Sequence, residues 1–186
     1  MNRLEQTLAV IDAANAADPA QDDGEPAALL YGRRMNAELD RLFPAASDPL
    51  RIAARGQHVE RWVLPRGDYP EGRTGYLTWR RDLARHHAER VAGFMAEAGY
   101  GAEDIAAAER MLRKEGIKRD AEVQSLEDVI CFVFLKWYFA PFAAKHDTDK
   151  ISDIVVKTAR KMSAEGRTRV LAEFDLPEAL AAAFRD

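Results

Sequence analysis

Four histidines, His58, His86, His87 and His146, are the only imidazoles in the chain, so a site that uses one has few members to draw on. Arg55 and His58 stand three residues apart, the spacing that places two side chains on one face of a helix, with Arg51 and Trp62 flanking them. His86 and His87 are adjacent in a helical stretch and point about 100° apart, so at most one of them can face a given cavity. Glu127 and Asp128 open the most apolar part of the sequence, where a carboxylate must be paired, hydrogen-bonded or metal-bound because a bare buried charge is costly. Either could equally form a structural ion pair with Arg55 or Arg80, fixing register without doing chemistry. Arg66, Arg73, Arg80 and Arg81 gather in and just after a loop rich in Pro and Gly, and planar guanidinium forks suit a phosphate better than ammonium groups do. Cys131 sits in an apolar run, where burial raises a thiol pKa and leaves it inert.

The elements that must position these groups read as helices. There is no sustained alternation of apolar and polar residues, and Ala, Leu, Glu and Arg are abundant, so the fold class is all-α. An N-terminal helix over residues 1–17 is carried by Leu4, Leu8 and Ile11, and an acidic Pro/Gly loop over 18–26 follows it. Helices are expected from Ala27 to Phe43 and from Leu50 to Val63, with a loop from Pro65 to Gly75. Further helices run from Tyr76 to Ala98 and from Glu103 to Glu115, each closed by a glycine, Gly99 and Gly116, where a left-handed cap favours one. The longest helix spans Ala121 to Ala144, apolar nearly all round in its middle, and Pro141 bends or ends its last turn. A helix from Asp149 to Glu165 stops at Gly166 and a short helical tail closes the chain. No repeat or composition shift marks a second domain, so the expectation is one single-domain helical bundle over residues 1–186 with a long buried central helix. Trp62, Trp79, Trp137, Phe132, Phe134 and Phe139 recur at helical spacing and belong to its core.

The composition is that of a globular chain, with 47% hydrophobic and 31% charged residues, and it excludes collagen-like and low-complexity readings. A net charge of −4 provides no global basic field, so DNA and membrane surfaces are not expected partners. The apolar run from Val129 to Ala144 is interrupted by Lys136 and Pro141 and falls short of the roughly 20 residues a bilayer requires. A lone cysteine and the charged opening segment point to a reducing, cytoplasmic setting without a signal peptide.

Arg55-x-x-His58, then His87 a helix and a loop later, then Asp128 on a buried helix, resembles the order of ligands in HD-domain phosphohydrolases. Those proteins are helical bundles in which His, His-Asp and Asp on different helices hold a divalent metal. The resemblance implies an HD-domain-like bundle with His58, His87 and Asp128 as ligands of Mn, Fe, Co or Zn. Such a metal acidifies bound water enough to attack a phosphate ester. The residue after His87 is Ala88, so the paired His-Asp is missing, and Glu89 is rotated some 200° from His87 on an ideal helix. The literal His146-Asp147 pair reads instead as a solvated cluster in which Asp147 or Asp149 caps the next helix.

A second resemblance covers nearly the whole chain. Leu29-Leu30-Tyr31 with Arg34-Met35, Ala53-Ala54-Arg55-Gly56-Gln57-His58 with Arg61-Trp62, Tyr69 to Leu77, Trp79-Arg80, His87-Ala88-Glu89, Leu126-Glu127-Asp128-Val129 and Lys161-Met162-Ser163 are similar to the family described as domain of unknown function 4202. Some of its members carry the label glutamyl-tRNA synthetase-like, and Lys161 to Glu165 is similar to the ATP loop of class I synthetases. The chain has no nucleotide-binding strand–helix unit to support that label, so Lys161 is expected at a helix end and tRNA is not an expected partner.

Together these readings lead to the expectation of a metal-dependent phosphohydrolase acting on a nucleotide or small phosphorylated metabolite. In that scheme His58, His87 and Asp128 hold the metal, Glu127 or Glu89 serves as general base, and Arg55, Arg73, Arg80 and Lys145 neutralise phosphate. A non-catalytic binding module for a nucleotide or anionic metabolite is the first alternative, and an RNA-associated or protein-interaction role the second.

Overall fold

In a computed structural model, residues 1–185 are described and form two compact units, the first Met1–Glu115 and the second beginning at Gly116. The architecture is all-α, and the one sheet among the described residues is a two-stranded hairpin.

The first unit opens with α1 (Arg3–Asn15), whose N-terminus is closed by a reciprocal box between Asn2 and Glu5. The acidic loop expected over 18–26 contains a small hairpin, β1 (Gln21–Asp22) paired with β2 (Glu25–Pro26). Asp23 and Gly24 between them both take positive φ, 47° and 80°, the conformation a tight two-residue hairpin demands and the Asp-Gly pair tolerates. α2 (Ala27–Leu42) and α3 (Asp48–Arg55) follow, the latter capped by Ser47, whose hydroxyl accepts from the Leu50 N–H.

The expected helix from Leu50 to Val63 is corrected here: it ends at Arg55. A Cβ on the next residue, Gly56, would lie 2.4 Å from Val91 Cγ2, so this close approach of the backbone to the Val91 side chain needs glycine. The chain then turns through His58 and a left-handed Glu60 (φ 50°) into a single 3-10 turn, Arg61–Val63. A second 3-10 turn, Arg66–Asp68, leads into the long α4 (Gly72–Glu97), which starts four residues before the expected Tyr76. Gly75 is buried under the Pro70 carbonyl, where a Cβ would fall 1.8 Å from that oxygen. α5 (Ala102–Arg113) packs on α3 and α4, and the core between them holds Ile52, Ala53, Leu83, Val91, Met95, Ala108, Met111 and Leu112.

The second unit begins with α6 (Ala121–Val133), capped by Asp120, which accepts from the Glu122 and Val123 N–H groups. The long helix expected to Ala144 continues only through a π turn, Phe134–Tyr138, before α7 (Phe139–Ala143). Pro141 has no N–H to give to the Trp137 carbonyl, and the wider turn, in which the Phe139 N–H reaches the Phe134 carbonyl, precedes it directly. α8 (Thr148–Lys161) is capped by Asp147, whose carboxylate accepts from Lys150 N–H at 2.8 Å. The expected run to Glu165 is also corrected: α8 ends at Lys161, and Ser163 caps a separate helix, α9 (Ala164–Glu173), in which Gly166 lies inside the first turn. α10 (Glu178–Ala181) and a 3-10 turn to Phe184 close the chain. Phe132, Val133, Leu126, Val155, Met162, Val170 and Phe184 make the core of this unit, and Cys131 is buried with its thiol facing the Thr158 carbonyl. No described helix is long and apolar enough to cross a membrane.

Candidate functional site

Within the first unit, the turn after α3 and the first two-thirds of α4 bring His58, Arg61, Arg80 and His87 together, with Tyr31 of α2 against them. Three anchors hold the turn. Val59 is fully buried, the Glu60 N–H donates to Asn15 Oδ1 at 3.1 Å, and the Glu60 carboxylate is gripped by Arg90 of α4 through Nε at 2.5 Å and Nη2 at 3.1 Å. Further along, Trp79 Nε1 donates to the Leu64 carbonyl at 2.8 Å, pinning the 3-10 turn to α4. His58 is thereby stacked on the Tyr31 ring, centroids 3.8 Å apart and planes 13° from parallel. His87 lies 6.1 Å from His58 and 5.8 Å from His86 between ring centroids. The Arg61 guanidinium lies 4.8 Å over the Trp79 ring.

The electrostatics of this cluster are one-sided. Burial pushes the His58 pKa well below its ordinary value, and Arg61, then His87 were it protonated, then Arg80 and Lys114 push it the same way. His87, only 4% exposed, is pushed down to about 3 by burial, with His86, Arg61 and Arg80 adding to the shift. Arg61 is itself lowered, by burial first and then by repulsion from Arg80, while the phenols of Tyr31 and Tyr76 act in the opposite sense. Both imidazoles are therefore neutral near pH 7, each with one N–H to give and one lone pair to offer. The Nε2 atom of His87 is buried and makes no hydrogen bond. A buried polar atom in that state costs about 1–3 kcal/mol, so it marks a position suited to an outside partner.

The remaining expected residues fall elsewhere. Arg55 turns toward α1, its Nε 3.5 Å from Asp12 Oδ1, and Asp12 is raised by its own burial despite Arg55 and Arg33. Because α3 has already ended, Arg55 and His58 do not share a helix face. Glu89 is exposed and 3.9 Å from Arg85, on the far side of α4 from His87. Arg73 and Arg81 are exposed, and Arg66 donates to the Tyr69 carbonyl at 2.9 Å. Lys145 is exposed in the second unit.

Asp128, the third expected ligand, belongs to the second unit and is committed there. Its Oδ1 accepts from Ser163 N–H at 2.8 Å and from Gln124 Nε2 at 3.0 Å, and its Oδ2 accepts the Ser163 hydroxyl proton at 2.5 Å. Ser163 Oγ accepts in turn from Gly166 N–H at 2.9 Å, so Asp128 anchors the start of α9. A Cβ on Gly166 would come within 2.9 Å of that carboxylate, and glycine leaves it room. Glu127, 2% exposed, lies 4.0 Å from Lys161 Nζ at the end of α8. The Lys161-Met162-Ser163 run is thus a helix–helix junction, with the cation at a helix end as expected. Among the described residues no group of three or more His, Cys, Asp or Glu side chains is disposed to hold a metal ion.

A family sequence model described as domain of unknown function (DUF4202) matches residues 5–183, across both units. The chain belongs to the DUF4202 family. No curated protein and no solved structure matches the chain. The DUF4202 match thus places the cationic cluster and the Asp128–Ser163 anchor within one family domain while leaving the chemistry to be argued from the residues. Sequence reasoning had His58, His87 and Arg80, and it missed Arg61 and Tyr31 as their neighbours. The signal for Arg61 lay in the sequence as the three-residue step from His58, which a turn, not a helix, converts into proximity.

Proposed function

We propose that the first unit is a binding module for a small phosphorylated molecule, held by His58, His87, Arg61 and Arg80. The observation that carries this reading is the pairing of a buried, unpartnered His87 Nε2 with a surround whose strongest charges are all positive. A phosphate supplies what such a surround lacks. Its oxygens accept from guanidinium forks and imidazole N–H groups, and its negative charge offsets the mutual repulsion of Arg61 and Arg80. Binding is favoured over metal-dependent hydrolysis because that chemistry would draw its carboxylate from Asp128, whose oxygens are spent on Ser163 and Gln124.

The test is calorimetric titration and thermal denaturation with inorganic phosphate and ribose 5-phosphate, alongside metal analysis of the purified protein. Binding with raised Tm, lost in Arg61→Gln and His87→Leu, without phosphate release and without stoichiometric metal, is the expected result. Stoichiometric metal lost in both His58→Ala and Asp128→Ala, with phosphoester turnover, would replace this reading by the hydrolase.

A further inference from the structure

Along α4, Tyr76, Arg80 and His87 fall within about 40° of one another around the helix axis, with Arg80 about 6 Å and His87 about 16 Å along the axis from Tyr76. Exposure falls in the same order: Tyr76 is 45% exposed, Arg80 is half-buried and His87 is buried. Leu77, the next residue along, is open too, at 54%. Tyr76 does not lie flat on a neighbour, since its ring is 5.9 Å from Trp79 and inclined by 50°. Its phenol nevertheless acts electrostatically on Arg61, which ties it to the cationic cluster.

We infer that the ligand is a phosphate ester carrying a planar heterocycle, whose ring packs on the outer face of Tyr76 while its phosphate sits inward among Arg80, Arg61 and the two imidazoles. This rests on the phosphate reading above and adds the ring. An aromatic face of this kind has no business with inorganic phosphate or a bare sugar phosphate. A ring does, because stacking on an aromatic side chain is a sequence-tolerant, geometry-driven contact. The axial step of about 6 Å from Tyr76 to Arg80 calls for a short spacer between ring and phosphate, which a nucleoside monophosphate or a phosphorylated hydroxymethyl heterocycle provides.

Calorimetric titrations of the full chain with inorganic phosphate, ribose 5-phosphate, adenosine 5′-monophosphate and pyridoxine 5′-phosphate separate the parts. At least one of the two ring-bearing esters should bind roughly five- to a hundredfold more tightly than ribose 5-phosphate, the range expected of one ring–aromatic stack. Which one gains identifies the source of the ring. Tyr76→Ala should abolish that gain and leave inorganic phosphate binding unchanged, and Tyr76→Phe should keep it. Equal binding of all the esters, or a gain that survives Tyr76→Ala, overturns the inference while the phosphate reading stands. Binding of none of the four overturns both.

Discussion

A neutral buried imidazole makes the first unit acid-sensitive by an amount that follows from His87 alone. Its pKa is pushed from 6.5 in the free side chain to about 3 in the folded chain, burial being the main cause. A depressed folded-state pKa means that the unfolded chain takes up the proton first as pH falls. Stability from this group is therefore complete above pH 6.5 and lost on the way down to about 3. By pH 5 the loss is about 2 kcal/mol, and the full difference approaches about 5 kcal/mol at the acid end. His58 is depressed in the same direction and steepens the dependence. The assay is urea denaturation followed by tryptophan fluorescence at pH 7.5 and pH 5. Trp137, the one tryptophan of the second unit, is replaced by Phe so that Trp62 and Trp79 report the first. His87→Leu in that background should flatten the pH dependence by about 2 kcal/mol between the two conditions. A parent protein equally stable at both pH values, or an undiminished slope in the leucine variant, would refute the reasoning.

Asp128→Ala removes the acceptor of Ser163 N–H, Ser163 Oγ and Gln124 Nε2, and should destabilise the second unit by about 3 kcal/mol, read from Trp137 fluorescence on denaturation. Gly75→Ala would drive a methyl into the Pro70 carbonyl, and a loss of about 2 kcal/mol or more is expected in thermal denaturation. Tyr100 is pushed up to about 12 by burial and by its hydrogen bond to Asp48. One of the five tyrosines should therefore ionise late in an ultraviolet titration and vanish from that late phase in Tyr100→Phe. The same raised pKa adds stability below pH 10 that is lost as pH rises through about 12.

Helix content and most boundaries were legible because periodic apolar residues and caps are local signals. The cluster after His146 reads as offering a helix cap in Asp147 or Asp149, and it is Asp147 that caps. Gly99 was read as a left-handed terminator and takes φ 79°. The failures share a cause that no window of sequence contains. Helix α3 stops at Arg55 because Gly56 meets Val91 on another helix, and α8 stops at Lys161 because Ser163 is claimed by Asp128, 35 residues earlier.

The candidate site was half legible for the same reason. Residue type singled out both Asp128 and His87 as buried polar groups requiring an explanation, but type does not say whether the requirement is met within the chain. For Asp128 it is: two of its hydrogen bonds, from the Ser163 N–H and hydroxyl, fix the residue that caps α9, and a third comes from Gln124, so its burial is repaid in structure. For His87 it is not: Nε2 stays unpartnered in a positive surround, a cost that an apolar side chain of similar size would avoid. Folding alone would favour leucine there. That unmet requirement is the ground on which the phosphate proposal rests, and His87→Leu, stabilising the unit while abolishing phosphate binding, is its expected signature.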